Sequence, residues 1–320
     1  MDFHTRLVML ALGAAVVAGC RAKADGDGAA PVSAAPATSP LQAGDEAPPA
    51  EKTGGFDGKR AFAHVAKQVG FGPRASGSAA IGQLQEYIQS ELTSYGCKVE
   101  SDSFSSDTPA GRLPMKNIVA KIPGDKPEII MLATHYDTKR LENFVGADDG
   151  ASSTAVMLEL ARLLCGKRGP YQVWITFFDG EEAVKFIWQD PDNRYGSRQM
   201  AAKLAMSGDL PKIKAVLLAD MVGSRNLRFR READSTKALT DLIWSTAVRL
   251  GYSNIFVNES SATVDDHIVF LKRGVPAVDV INFEIPYWHT VEDTLDKVSA
   301  KSLAITGHVL LESVKQLQAR

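Results

Sequence analysis

The sequence has no excess of basic charge: 36 Lys and Arg stand against 38 Asp and Glu, a formal charge of −2. A nucleic-acid partner requires cations that displace the counterions of phosphate. This balance argues against one, and the basic residues are scattered along the chain. Long apolar runs are scarce as well. Beyond the N-terminal segment no run approaches the ~20 residues of a bilayer-spanning helix. No internal repeat is visible. Cysteine is rare, at three. Apart from Cys20, near the N-terminus, only Cys97 and Cys165 remain, and nothing in the sequence shows whether they meet. Hydrophobic residues at 45% and charged residues at 23% are globular proportions, enough for one substantial core or two smaller ones.

Residues 1–19 combine a short polar start containing Arg6, the apolar run LVMLALGAAVV and the small residues Val17-Ala18-Gly19, directly before Cys20. The pattern resembles a bacterial lipoprotein signal, in which Cys20 becomes the lipidated first residue of the mature chain. Residues 20–54 are rich in Ala, Pro, Ser, Asp and Gly without hydrophobic period, as expected for a disordered tether. Residues 55–320 then form the folded domain. The expected location is the bacterial cell envelope, periplasm-facing or extracellular, with membrane contact through the Cys20 lipid only.

Within that domain, helical and strand patterns alternate. Residues 77–95 place Ile81, Leu84, Ile88, Leu92 and Tyr95 at helical spacing and stop at Gly96. Strands are expected at 116–121, 128–134, 172–178, 215–219 and 277–281, the last four almost unbroken in apolar residues, as for strands covered on both faces. Helices are expected at 152–164, 197–206, 235–250 and 302–317. That order predicts an α/β three-layer sandwich around a mostly parallel central β-sheet, in which ligands bind beyond the carboxyl ends of the strands.

Those ends are where the acids stand. Strand 128–134 runs into His135-Tyr136-Asp137, and the helix from 152 is preceded by Gly146-Ala147-Asp148-Asp149-Gly150. Strand 172–178 runs into Asp179-Gly180-Glu181-Glu182, strand 215–219 into Asp220, and strand 277–281 leads to Trp288-His289-Thr290. A single Asp after a strand is a turn former or a cap. Several carboxylates delivered to one edge repel each other and protonate unless a cation compensates, and imidazole with carboxylate is a zinc donor set.

The motifs THYD (134–137), GADDGASS (146–153), FFDGEEA (177–183), LLAD (217–220) and His289-Thr290 resemble, in order and across the whole domain, the zinc exopeptidase superfamily that includes the aminopeptidase Y-like metallopeptidases (peptidase family 28) and the animal-type glutaminyl cyclases. The resemblance implies a zinc exopeptidase (phosphorylase/hydrolase-like) fold. It implies that Asp149, Glu182 and His289 bind one zinc ion, that His135 and Asp220 complete a second site with Asp149 bridging, that Asp137 orients His135, and that Glu181 is the general base.

Three stretches are closer to the cyclases, the glutaminyl-peptide cyclotransferases, which are acyltransferases. These are FFDGEEAVKFIWQDPDNRYGSRQMAA (177–202), DDHIVFLKRGVP (265–276) and Trp288 directly before His289. By that resemblance Trp188 and Trp288 wall a glutamine pocket, Asp265 and Asp220 bond near Glu181, and N-terminal glutamine of a peptide or protein becomes pyroglutamate with loss of ammonia. One zinc ion is implied if the chain is cyclase-like, two if aminopeptidase-like. The chain departs from the animal cyclases at Asp279, where they carry histidine, and at Thr134 and Thr154, which replace a cysteine pair. One residue is added between Glu182 and Trp188, and one is missing before Trp288. The tail HTVEDTLDKVS reads equally well as peptidase, so a zinc aminopeptidase is the alternative. A non-catalytic binding lipoprotein on the same fold is the third reading.

Other conspicuous residues have plainer explanations. His64 and His308 lie in helical patterns, Trp174 and Trp244 in core patterns, and His267 braces the helix after Asp265. Asp148 reads as a loop acid, Asp179 as a turn former, and Ser197 as the cap of a helix begun by Tyr195 and Gly196.

Overall fold

The computed structural model describes residues 46–320. Cys20, the signal segment and most of the expected tether lie outside the described residues. The packed chain begins before the expected boundary at Gly54: Ala47 lies against the core, and Ala50–Thr53 forms a 3-10 turn with Thr53 buried.

The elements follow in the order α1 (Gly58–Val69), α2 (Ala79–Ser94), β1 (Lys98–Thr108), β2 (Gly111–Ile122), β3 (Gly124–His135), α3 (Ala151–Leu164), β4 (Gly169–Phe178) and α4 (Tyr195–Ser207). Then come β5 (Ile213–Asp220), β6 (Phe229–Glu232), α5 (Lys237–Arg249), β7 (Phe256–Ser261), α6 (Asp266–Leu271), β8 (Ala277–Ile281) and α7 (Ala300–Gln318). Local chemistry sets several ends. Asp57 accepts the N–H groups of Lys59 and Arg60 at the start of α1, Ser78 accepts that of Ile81 at the start of α2, and Gly96 follows α2 with φ 77°. Ser197 is not a cap: Arg194, at φ 51°, precedes α4, and Ser197 lies inside the first turn.

The main sheet has the order β1-β2-β4-β3-β5-β8. β4, β3, β5 and β8 are parallel, while β1 and β2 form an antiparallel edge, so the sheet is mostly parallel, as expected, and mixed at that edge. Strand side chains alternate in direction, and the apolar positions divide accordingly. Ile130, Leu132, Ile175, Phe177, Leu217 and Val280 face the layer of α1, α2, α3, α5 and α7. Met131, Ala133, Trp174, Val216 and Leu218 face α4 and α6. This double covering is why the inner strands are apolar throughout. β6 and β7 pair separately.

Cys97 and Cys165 are joined in a disulfide, which ties the start of β1 to the end of α3. No helix among the described residues is long and apolar enough to cross a membrane.

Candidate active site

Four parallel strands stop along one edge, and the polar side chains converge there. β3 ends on His135, β4 on Phe178 just before the Asp179–Glu182 turn, β5 on Asp220, and β8 on Ile281 at the head of the loop that carries His289. Gly180 turns the chain at φ 72°, a conformation open to glycine without steric cost. His289 adopts φ 51°, in the left-handed region that costs a residue with a Cβ roughly 1–2 kcal/mol. A side chain held against its backbone preference is a positioned one, and the Trp288 indole stacks on the His289 ring at 3.9 Å between centroids.

The ligand-type atoms meet. His289 Nε2 is 3.0 Å from Glu182 Oε1 and 3.4 Å from Asp149 Oδ2. His135 Nε2 is 3.0 Å from Asp220 Oδ1 and 3.3 Å from Asp149 Oδ1. Asp149 therefore joins two groups that could each hold a cation, Asp149–Glu182–His289 and His135–Asp149–Asp220. Asp149 Oδ2 and Glu182 Oε2 are buried without a hydrogen-bond partner among the described residues. Buried carboxylate oxygens left unpaired are costly, and a divalent cation between them and the imidazole removes that cost. The donor set of nitrogen and carboxylate oxygen fits zinc.

Asp137 does more than face His135. Its Oδ1 stands 3.6 Å from His135 Nδ1, and its two oxygens accept the backbone N–H groups of Glu181 at 3.1 Å and Glu182 at 3.4 Å. One carboxylate thus ties the ends of β3 and β4. Thr134 and Thr154 both donate to the His135 carbonyl, at 2.9 and 3.0 Å, so hydroxyls brace the strand end where the resembling cyclases have cysteines.

Glu181 and Glu182 point to different partners. Glu182 meets His289, whereas Glu181 lines the cavity beside Asp265 and Asp220. Burial drives the Glu181 carboxyl well above its ordinary range, and the Asp265 charge pushes the same way. Burial likewise raises Asp220, to about 7, against the pull of the His135 imidazole. Burial alone would lower His289, but Glu182 and Asp149 hold it up at about 9.

The cavity over these groups measures about 220 Å³ and is walled by Trp188, Trp288, Phe283, Ile281 and Val264. That is below the ~300–1,000 Å³ of ordinary small-molecule pockets, so it suits one residue-sized group. The Trp188 indole N–H is buried without a partner among the described residues. The loop carrying Trp188 is held by Asp192, which accepts from Val184 N, Lys185 N and the Tyr195 hydroxyl.

Several residues near the site were given no part in it by the sequence. Lys139 is fully buried with Nζ 3.7 Å from Glu182 Oε2, although lysine ordinarily reads as surface. Asp293 accepts the N–H groups of Asp148 and Asp149 and so shapes the loop before α3. Asp148 is bonded to Gly223 N and the Tyr287 hydroxyl, and Asp179 to Ser76, Gln85, Lys116 N and Tyr136. Both belong to the scaffold. His267, read as a brace, is completely buried between Glu232 and Asp279.

Comparison with known proteins places this geometry in context. A family profile described as Peptidase family M28 matches residues 117–314. The glutaminyl-peptide cyclotransferase of Drosophila melanogaster is 30% identical over 265 residues, 73% of this chain and 75% of that protein. Among solved structures, a glutaminyl cyclase from an Acidobacteriales bacterium superposes with TM-score 0.78 at 38% identity, covering 88% of this chain and 99% of the other. A protein described as a leucine aminopeptidase precursor from Bacteroides thetaiotaomicron superposes with TM-score 0.74 at 26% identity, over 81% of this chain and 97% of the other.

Proposed function

Because the chain belongs to Peptidase family M28, we propose that it is a zinc-dependent glutaminyl-peptide cyclotransferase, converting the N-terminal glutamine of peptides to pyroglutamate with release of ammonia. The observation that carries this reading is Glu181, buried on the wall of a small, tryptophan-sided cavity and directed away from the ligand group that its neighbour Glu182 joins.

Asp149, Glu182 and His289 would hold one zinc ion. When bound, it withdraws electron density from the side-chain amide carbonyl of the glutamine. Glu181 takes a proton from the α-amine as that nitrogen bonds to the amide carbon. The bond from this carbon to the side-chain nitrogen then breaks, and Glu181 returns the proton to the departing ammonia. A carboxyl whose proton affinity is raised by burial suits this exchange near neutral pH. Asp220 and Asp265 keep the charge around Glu181 ordered, and Trp188 and Trp288 exclude water from the reacting atoms. The Trp188 N–H, without a partner among the described residues, is available to a substrate carbonyl.

A second reading has its own observation. The His135–Asp149–Asp220 group would hold a second ion, as in a two-metal aminopeptidase with water as nucleophile. Incubation with a glutamine-initiated and a leucine-initiated dipeptide separates the two. The cyclase releases ammonia and a cyclised product from the first; an aminopeptidase frees leucine from the second. Neither product, with zinc bound, would favour a binding protein.

The lipobox reading of Cys20 adds a tether that presents the enzyme to peptides outside the cytoplasm.

A further inference from the structure

Behind Glu181 lies another set of buried polar atoms, of which only Asp265 borders the reacting groups. Asp265, at the head of α6, accepts the Asp266 N–H through Oδ1 at 2.5 Å, while its Oδ2 is buried without a partner among the described residues. His267 has no solvent exposure, and its Nε2 is 3.0 Å from Glu232 Oε2. Glu232 also accepts Asp234 N, Ser235 N and the Ser235 hydroxyl, at 3.1, 2.8 and 2.8 Å. With so many donors it is an acceptor only. Burial raises its carboxyl, but those donors, His267 foremost, bring it down to about 2. The bond to Glu232 therefore fixes a hydrogen on His267 Nε2. Nδ1 has no hydrogen-bond partner among the described residues, and it faces Asp279 Oδ2 at 3.7 Å. Both oxygens of Asp279, in β8, are likewise buried and unpaired among the described residues.

The spacing discriminates between explanations. A shared proton needs roughly 2.5–3.2 Å between heavy atoms, less than the 3.7 Å seen here. A common zinc-type ion at about 2.0–2.2 Å from each donor sets those donors up to about 4.4 Å apart. The His267–Asp279 pair at 3.7 Å falls inside that span, and a donor atom of Asp265 lies in the same group, within 4.8 Å of both. The Glu232–His267 bond is also the arrangement that orients a ligating imidazole from behind.

The geometry points to a divalent-cation site formed by Asp265, His267 Nδ1 and Asp279, separate from the Asp149–Glu182–His289 group. One imidazole and two carboxylates suit zinc or manganese. No ligand is shared with that group, so the ion ties α6 to β8 and fixes Asp265 beside Glu181 without meeting substrate. It supplies positive charge to a cluster in which burial, with Asp265 and Asp220 adding, drives the Asp279 carboxyl well above its ordinary range. The site stands whichever reaction the protein performs.

The test strips the full chain with chelator, reloads it with zinc or with manganese, and counts bound metal by mass spectrometry. Wild type is expected to hold one equivalent more than His267→Gln or Asp279→Asn. Glu182→Gln is expected to lose its own ion and keep this one. Anomalous diffraction at the metal edge from wild-type crystals should show a peak between His267 Nδ1 and Asp279, and it decides alone if a variant fails to fold. Equal metal content in wild type and His267→Gln, or no such peak while the Asp149 group is filled, overturns the site.

Discussion

Adjacent glutamates divide the chemistry at the finest scale. Glu182 turns to His289 and Glu181 to the cavity, and the Asp137 carboxylate fixes the backbone beneath both. Glu181→Gln keeps the shape and removes the proton acceptor. Turnover should fall by at least ~10²–10⁴-fold, the usual contribution of a general base, with zinc content unchanged by mass spectrometry. Loss of the metal in that variant would contradict the division of roles. His135, Asp137, Asp149, Glu181, Glu182, Asp220 and His289 stood out in the sequence as acids and histidines at or beyond strand ends, Asp265 only through the cyclase-like stretch 265–276, and the structure brings them to one edge. Lys139, Asp293 and Glu232 did not, nor did the meeting of Glu232, His267 and Asp279, although His267 and Asp279 were each noted alone. Their significance comes from burial and from partners distant in the chain, and nothing in a single residue's letter reports either.

Among the elements, the site exists because β3, β4, β5 and β8 run parallel and end together. Their apolar runs could be read directly, and 277–281 matches β8 residue for residue. β1 could not be read: KVESDSFSSDT is polar, and it becomes a strand by pairing with β2 at the sheet edge. The short, partly exposed β6 and β7 were hidden for the same reason. The disulfide joins residues 68 apart, a closure that limits the unfolded chain and typically contributes about 2–4 kcal/mol. Cys97→Ser should lower the denaturation midpoint accordingly under oxidising conditions. An unchanged midpoint would mean that the pair is not linked in the protein as it folds.

Over the whole molecule, a near-balanced charge and a half-buried disulfide are compatible with the proposal that a lipid on Cys20 holds the enzyme outside the cytoplasm, where disulfides persist. Cys20→Ser is expected to move the protein from the membrane to the soluble fraction. A variant still sedimenting with membranes would rule out the lipid anchor. What the molecule does comes down to which nucleophile reaches the carbonyl in the cavity, the substrate's own amine or a water. Mass spectrometry of a glutamine-initiated peptide incubated with the enzyme in ¹⁸O-labelled water answers that. The expected product is lighter than the peptide by one ammonia and carries no label; ¹⁸O in a newly formed carboxylate would contradict cyclisation.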